Sequence, residues 1–259
     1  MSTGAPALDA AAVERYSRQL LLKEVGERGQ LRLARARVAV VGCGGLGVPA
    51  ALYLGAAGVG RLLLLDPDRV ELDNLNRQVA FRTEEVGLPK AHLLAARIRE
   101  LNPTIEVEAR AEAVGQGSIG ALLEEVEAVL ECSDDPRVKF LVNDACAKRG
   151  VGVVIGGAVG LAGQVVAVPP GCPCYRCLFH EPPRDRTLSC REAGVLGPVV
   201  GTIGSIEALE AIRMLCGIGP GGGGRLLDFD AATVRWREVR FPFSPGCTVH
   251  GRAAAGQRP

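Results

Sequence analysis

The chain has 259 residues, 47% of them hydrophobic, and a formal net charge of +1. That hydrophobic fraction supports a substantial core in one large α/β domain or two small ones, and the near-neutral balance gives no global field to draw the chain to nucleic acid or a membrane surface. No apolar run reaches about 18 residues, so no transmembrane helix is predicted, and the opening MSTGAPALDAAAVERYSRQ lacks the charged-then-apolar layout of a signal peptide, which makes the cytoplasm the expected location.

Residues 13–35 set a leucine stripe against a polar face and read as a helix. RVAVVGCGGLG follows. Val38–Val41 is an uninterrupted run of β-branched and small residues, the pattern of a buried parallel strand, with glycines next at 42, 44, 45 and 47. PAALYLGAAGV is a predicted helix that tolerates Pro49 in its first turn. RLLLLDPD is a second buried strand ending on Asp66, which completes a βαβ unit. The alternation continues with a helix over 90–101 stopped by Asn102-Pro103, a strand over 105–109, a helix near 118–127 and the strand AVLECSDD. A helix over 140–149 ends at Gly150, and strands follow at 151–155 and 164–168. Residues 169–191, rich in proline, cysteine and charge, read as a long loop of the kind that carries function inside a compact domain. A helix at 203–216, a glycine-rich turn (GIGPGGGG) and a closing strand pair in RLLDFDAATVRWREVRF complete the pattern. With neither repeats nor a clean linker, the expectation is one α/β domain over 1–259. It would have a Rossmann-like, largely parallel sheet flanked by helices and a C-terminal antiparallel extension, with 1–12 and 252–259 as disordered tails.

The glycine turn GCGGLG (Gly42, Gly44 and Gly45 among its members) follows a strand and opens a helix. That is the context in which backbone N–H groups approach a phosphate, while an acid at the next strand end, here Asp66, suits a ribose hydroxyl. DPDRVELDNLNRQ and VGLPK then supply Arg77 and Lys90. Two further cations fit a triphosphate better than a nicotinamide dinucleotide. Asp134 ends the AVLECSDD strand at the edge where open α/β sheets bind ligands, and it is a candidate Mg²⁺ ligand. Of nine cysteines, Cys43, Cys132, Cys146 and Cys216 lie in apolar segments and read as small buried hydrophobes. Cys172, Cys174, Cys177, Cys190 and Cys247 form the informative set. His92 and His180 read as surface residues.

Together RYSRQ (15–19), GCGGLG, LLDPD, DNLNRQ, GLPK, CSDD, PCYRC, REAGVLGPVVG (191–201) and Gly246-Cys247 resemble the MoeB/ThiF (HesA) family of ubiquitin-activating-type adenylyltransferases, over about residues 13–251. The resemblance implies Mg-ATP-dependent adenylation of the C-terminal glycine of a ubiquitin-like sulfur-carrier protein ending in Gly-Gly. Pyrophosphate leaves, and the acyl-adenylate serves sulfur transfer in molybdopterin, thiamin or related thio-cofactor synthesis. It places Gly45 near the phosphates and Asp66 on the ribose. It brings Asp73, Asn74, Leu75, Asn76, Arg77 and Lys90 to the nucleotide, the last two on phosphates. It sets Asp134 on Mg²⁺ with Asp135 beside it. Arg18 would enter the other protomer's site as an arginine finger, which requires a homodimer. Two positions depart from the family pattern: Asn76 stands where glutamine is usual, and Asp135 where asparagine is usual. The family's two CxxC pairs bind a structural zinc; here they become Cys174 and Cys177 with Cys247 and His250, a Cys₃His set that zinc accepts. Cys172 is then a bystander. Cys190 matches a cysteine that forms a covalent link to the carrier in some relatives and is dispensable in others. Arg186 and Arg191 beside it would favour the thiolate. No rhodanese-like segment follows the second metal pair, so a separate sulfur donor is expected.

Three other readings compete. NLNRQ slightly resembles a related ATP-dependent dehydratase for tRNA threonylcarbamoyladenosine, but the CYRC pair argues against that branch. An NAD-dependent oxidoreductase would need a hydride-transfer set of His, Lys or Tyr that the sequence does not show. A non-catalytic zinc-stabilised module would have no use for Arg77, Lys90 and Asp134 together.

Overall fold

The computed structural model describes residues 8–183, 193–219 and 224–250. Strands β1 (Arg37–Val41), β2 (Arg61–Leu65), β3 (Glu106–Arg110), β4 (Ala128–Glu131), β5 (Gly152–Val159), β6 (Ala162–Val168), β7 (Arg225–Asp230) and β8 (Arg235–Arg240) form one sheet in the order β3-β2-β1-β4-β5-β6-β7-β8. The first five are parallel, and β6, β7 and β8 are added antiparallel. The strand order reverses direction between β1 and β4, and in an open parallel sheet such a switch point leaves a crevice at the C-terminal strand ends.

Between their end residues the central strands are apolar on both faces because both faces of the sheet are covered. Val38, Val40, Leu62 and Leu64 join one core, and Ala39, Val41, Leu63 and Leu65 join the other, as the two-residue period of a strand requires. Helices α3 (Gly26–Arg35), α4 (Gly47–Ala57), α5 (Lys90–Leu101) and the 20-residue α9 (Gly197–Cys216) pack on the first face. Helices α6 (Ile119–Glu125) and α7 (Pro136–Arg149) pack on the second. A side chain such as Leu64, fully removed from water, contributes about 1.5–3 kcal/mol by burial. Among the described residues no helix is long and apolar enough to cross a membrane.

The structure differs from the sequence-based expectation in its first helix and at several element ends; α7, for example, starts at Pro136, four residues before its predicted start, and β5 runs on to Val159. The single helix predicted over 13–35 is three: α1 (Ala10–Arg15), α2 (Ser17–Leu20) and α3. Tyr16 causes the first break by turning inward, where its hydroxyl accepts a bond from Asn102 Nδ2 (2.9 Å) and its ring fills the space beside Gly58. The leucine stripe that suggested continuity is not one continuous buried face: Leu33 is in the core, but Leu21 and Leu22 are exposed. Residues 10–12, expected in the N-terminal tail, are helical instead, because Asp9 caps α1 by accepting from Ala12 N at 2.7 Å. Part of the predicted loop after residue 169 is the short helix α8 (Tyr175–Leu178), and α9 starts at Gly197, six residues before its predicted start, with Pro198 in its first turn.

Candidate active site

The glycine turn joins β1 to α4 at the switch point. Gly42 has φ +92, and a Cβ there would meet the backbone of Cys132 and Ser133 at 2.9–3.0 Å. A side chain is excluded both by the left-handed backbone and by the close approach of the β4 end. At Gly47 a Cβ would stand 1.8 Å from Gly42 O, so the first residue of α4 must also be glycine for the turn to close. Leu46 is the N-cap of α4 and provides no side-chain cap. Within that first turn Val48 N donates to Gly44 O (2.9 Å) and Ala50 N to Leu46 O (3.2 Å), and Pro49 has no N–H, so a phosphate here would be met chiefly by the backbone of the glycine turn itself.

Asp66, at the end of β2, is buried under this turn. Its Oδ2 accepts from Cys43 N at 2.6 Å and its Oδ1 from Asp68 N at 2.8 Å. Burial raises the Asp66 pKa above the ordinary value, opposed by those two backbone bonds and by the Lys90 charge. Each carboxylate oxygen keeps a second lone pair for a ligand hydroxyl. Lys90 opens α5, is nearly buried, and reaches Asp68 Oδ2 at 3.2 Å. Its positive charge acts on both Asp66 and the Cys43 thiol, which places it at the turn.

The segment Glu71–Gln78 is a one-turn 3₁₀ helix and its exit. Asn74 is buried and organises it: Oδ1 accepts from Glu71 N (3.2 Å), and Nδ2 donates to Asp73 Oδ1 (2.8 Å). Arg77 lies on the rim, donating to Asp73 O (2.7 Å) and Asn76 Oδ1 (3.1 Å). Asp73 and Asn76 are exposed, and Leu75 is half-buried. Gly197 packs directly on Asn76 O, which ties this segment to the start of α9. Across the crevice, Asp134 is exposed beyond the end of β4. Asp135 is the N-cap of α7, accepting from Arg137 N (2.8 Å) and pairing with its guanidinium (2.9 Å). That hydrogen bond to Arg137 holds the Asp135 carboxyl below the usual range. The departure from asparagine is thus compatible with the local structure, because aspartate and asparagine cap helices about equally well.

Gly42, Gly44, Gly45, Asp66, Asn74, Arg77, Lys90 and Asp134, or the residues next to them, therefore come together around the glycine turn. Arg18 does not. Its neighbour Gln19 donates to Ala57 O (3.1 Å), at the far end of α4, which is on the order of 16 Å of helix from the glycine turn. Cys190, with Arg186 and Arg191, lies outside the described residues. Two polar residues at the crevice were not singled out from the sequence. Gln78 is buried against Gly44, and its Oε1 has no hydrogen-bond partner among the described residues; its place directly after Arg77 was the available signal. Lys139 is buried beneath Ser133, and a lysine one turn into a helix gives no sequence sign of burial.

At the opposite end of the sheet, Cys174, Cys177, Cys247 and His250 bring their ligand atoms within 4.8 Å of one another. Cys174 Sγ is 3.7 Å from Cys247 Sγ, and His250 Nδ1 is 3.7 Å from Cys177 Sγ and 3.5 Å from Cys247 Sγ. Zinc–sulfur bonds of about 2.3 Å put the sulfurs of a tetrahedral ion about 3.8 Å apart, and a zinc–nitrogen edge is slightly shorter, so the four residues fit the ion. Cys172 is not in the group. The cluster rests on α7: Asn143 Oδ1 accepts from Tyr175 N (2.8 Å), and Asp144 pairs with Arg176 (2.6 Å).

A profile of the ThiF family matches residues 16–249, and the chain belongs to that family. It is 42% identical over 245 residues to the SAMP-activating enzyme E1 of Haloferax volcanii, with 94% of this chain and 91% of that protein covered. It is 42% identical over 246 residues to the sulfur carrier protein adenylyltransferase of Thermus thermophilus, covering 92% and 91%. It is also 44% identical over 256 residues to the adenylyltransferase and sulfurtransferase MOCS3 of Bos taurus, of which it spans only 55%. The fold matches Escherichia coli MccB crystallised with MccA-N7isoASN at a TM-score of 0.81 and 22% identity, covering 92% of this chain and 74% of that one. Within the family, the chain is an enzyme of the adenylyltransferase class.

Proposed function

We propose that the protein uses Mg-ATP to adenylate the C-terminal glycine carboxylate of a ubiquitin-like sulfur-carrier protein, preparing it for sulfur transfer in molybdopterin, thiamin or related thio-cofactor synthesis. The observation that carries this reading is the near-full-length match, at 42% identity, to a relative named sulfur carrier protein adenylyltransferase and to one named SAMP-activating enzyme E1. In the proposed site the turn Gly42–Gly45 receives phosphates, and Asp66 takes a ribose hydroxyl. Asp73–Arg77 line the nucleotide, Arg77 and Lys90 meet phosphate charge, and Asp134, with Asp135 beside it, faces Mg²⁺. The attacking group is already a carboxylate, so the enzyme's task is alignment and charge stabilisation, with no general base required. Cys174, Cys177, Cys247 and His250 would hold a structural zinc with no open position. Arg18, remote from its own crevice, would serve the second protomer of a homodimer, and sulfur would come from a separate donor.

Pyrophosphate–ATP exchange with a small carrier ending in Gly-Gly tests the reading. Exchange that requires the carrier's terminal glycine is the expected result. Absence of carrier-dependent exchange, across carriers of the molybdopterin and thiamin types, would overturn it.

A further inference from the structure

Beneath the Asp134 side of the crevice lies a cluster of charged groups that the proposed chemistry does not use. Lys139, on α7, is 8% exposed. Its Nζ donates to Glu131 Oε2 (2.6 Å), Ser133 O (2.7 Å) and Gly156 O (2.7 Å), so all three protons are taken. Glu131, the last residue of β4, is fully buried. Its other oxygen, Oε1, accepts from both the backbone N (3.1 Å) and the hydroxyl of Ser133. Ser133 is thus gripped at its N–H, hydroxyl and carbonyl by one buried ion pair, and the next residue is Asp134.

Glu207 closes the cluster from α9. It is fully buried against Gly156, accepts from Cys132 Sγ at 3.3 Å, and its Oε2 has no partner among the described residues. Burial pushes the Glu207 carboxyl up to about 8. It is therefore mostly neutral near pH 7, and the Lys139 charge is balanced by Glu131 alone. Burial alone would lower the Lys139 pKa, but the charge and hydrogen bond of Glu131 outweigh it and hold the ammonium charged.

A buried ion pair is a poor device for stability, because the cost of desolvating both charges rivals their attraction. This pair gives up one lysine bond to Ser133 O and one whole carboxylate oxygen to Ser133. Its bonds converge on the turn after β4. We infer that Lys139, acting through Glu131 and Ser133, is a positioning residue that fixes the Ser133–Asp134 turn so that the Asp134 carboxylate is aimed at the Mg²⁺ of Mg-ATP. The inference rests on the nucleotide reading above and extends it to a residue that touches neither metal nor nucleotide.

ATP binding to the full-length protein by isothermal titration, across a series of free Mg²⁺ concentrations and in EDTA without carrier, provides the test. Lys139→Met should raise the Mg²⁺ concentration for half-maximal tight binding about tenfold or more, the usual effect of removing an outer-shell partner. It should leave the weak metal-free ATP affinity unchanged. Lys139→Arg, which keeps the charge and its donors, should restore most of the Mg²⁺ response. A general loss of stability would lower both affinities or neither. Should Lys139→Met fail to fold, Ser133→Ala, which removes only the hydroxyl bond to Glu131, must move the Mg²⁺ response in the same direction by a smaller factor. An unchanged Mg²⁺ dependence in the folded variants overturns the inference. Wild-type protein that binds no ATP in any buffer overturns the nucleotide reading instead.

Discussion

Cys174 Sγ lies 3.7 Å from Cys247 Sγ although 73 residues of chain separate them. The contact joins the end of β6 to the segment beyond β8, so the antiparallel half of the sheet is closed on itself. Removing zinc should then loosen that half. Purified protein is expected to carry one tightly held zinc per chain, measured by mass spectrometry of the metal. Cys247→Ser should lose it and melt at lower temperature, because metal binding and folding of such a clasp are one equilibrium. His250→Ala isolates the fourth ligand: undiminished, tightly bound zinc in that variant would remove His250 from the set.

Lys90 should be indispensable for chemistry and dispensable for the fold. It is held beside Asp66 and Asp68 at the glycine turn, and the charge it would meet develops on the leaving pyrophosphate. Lys90→Ala is expected to cut carrier-dependent pyrophosphate exchange by on the order of 10²–10³-fold. An exchange rate within a few-fold of wild type would mean that the cation serves only to pair Asp68.

Much of this site was legible in the sequence because its parts depend on local constraints. A glycine at 42 is demanded by φ +92 and the closeness of the β4 backbone, and an acid at the end of β2 is read directly from RLLLLDPD. The four clasp residues were legible as pairs with metal-ligand spacing. What the sequence hid was whatever depends on a distant partner. Tyr16 breaks the first helix because Asn102 and Gly58 await it 86 and 42 residues away. Lys139 and Glu207 sit in helical patterns that place charge in solvent, and only the packing of α7 and α9 around β4 and β5 buries them.

Glu207 gives a pH signature of that burial. Its folded-state pKa is about 8 against an ordinary 4.5, so between those values the folded state holds a proton that the unfolded chain releases. Stability from this group is complete below about pH 4.5, declines by at most about 1.4 kcal/mol per pH unit as pH rises toward 8, and is flat above. Glu207→Gln, neutral at every pH, removes the decline. Thermal melts should therefore show the wild type losing ground to Glu207→Gln from pH 5 to pH 8, with Lys139, Glu131 and Cys132 facing the carboxyl in one protein and the amide in the other. A gap that stays constant from pH 5 to pH 9 would show that Glu207 ionises normally.

Arg18 yields a test that separates action within a chain from action between chains. It stands at the far end of α4 from its own crevice, so a role in the reaction requires a second copy to present it. Arg18→Ala and Lys90→Ala should each be inactive alone. Mixed under conditions that exchange subunits, they form heterodimers in which one crevice has an intact Lys90 and receives Arg18 from its neighbour, while the other crevice lacks both. Random pairing makes half the dimers mixed, each with one of two sites restored, so exchange activity should return to about a quarter of wild type. If Arg18 worked on its own crevice, each mixed dimer would hold two defective sites, and mixing would restore nothing.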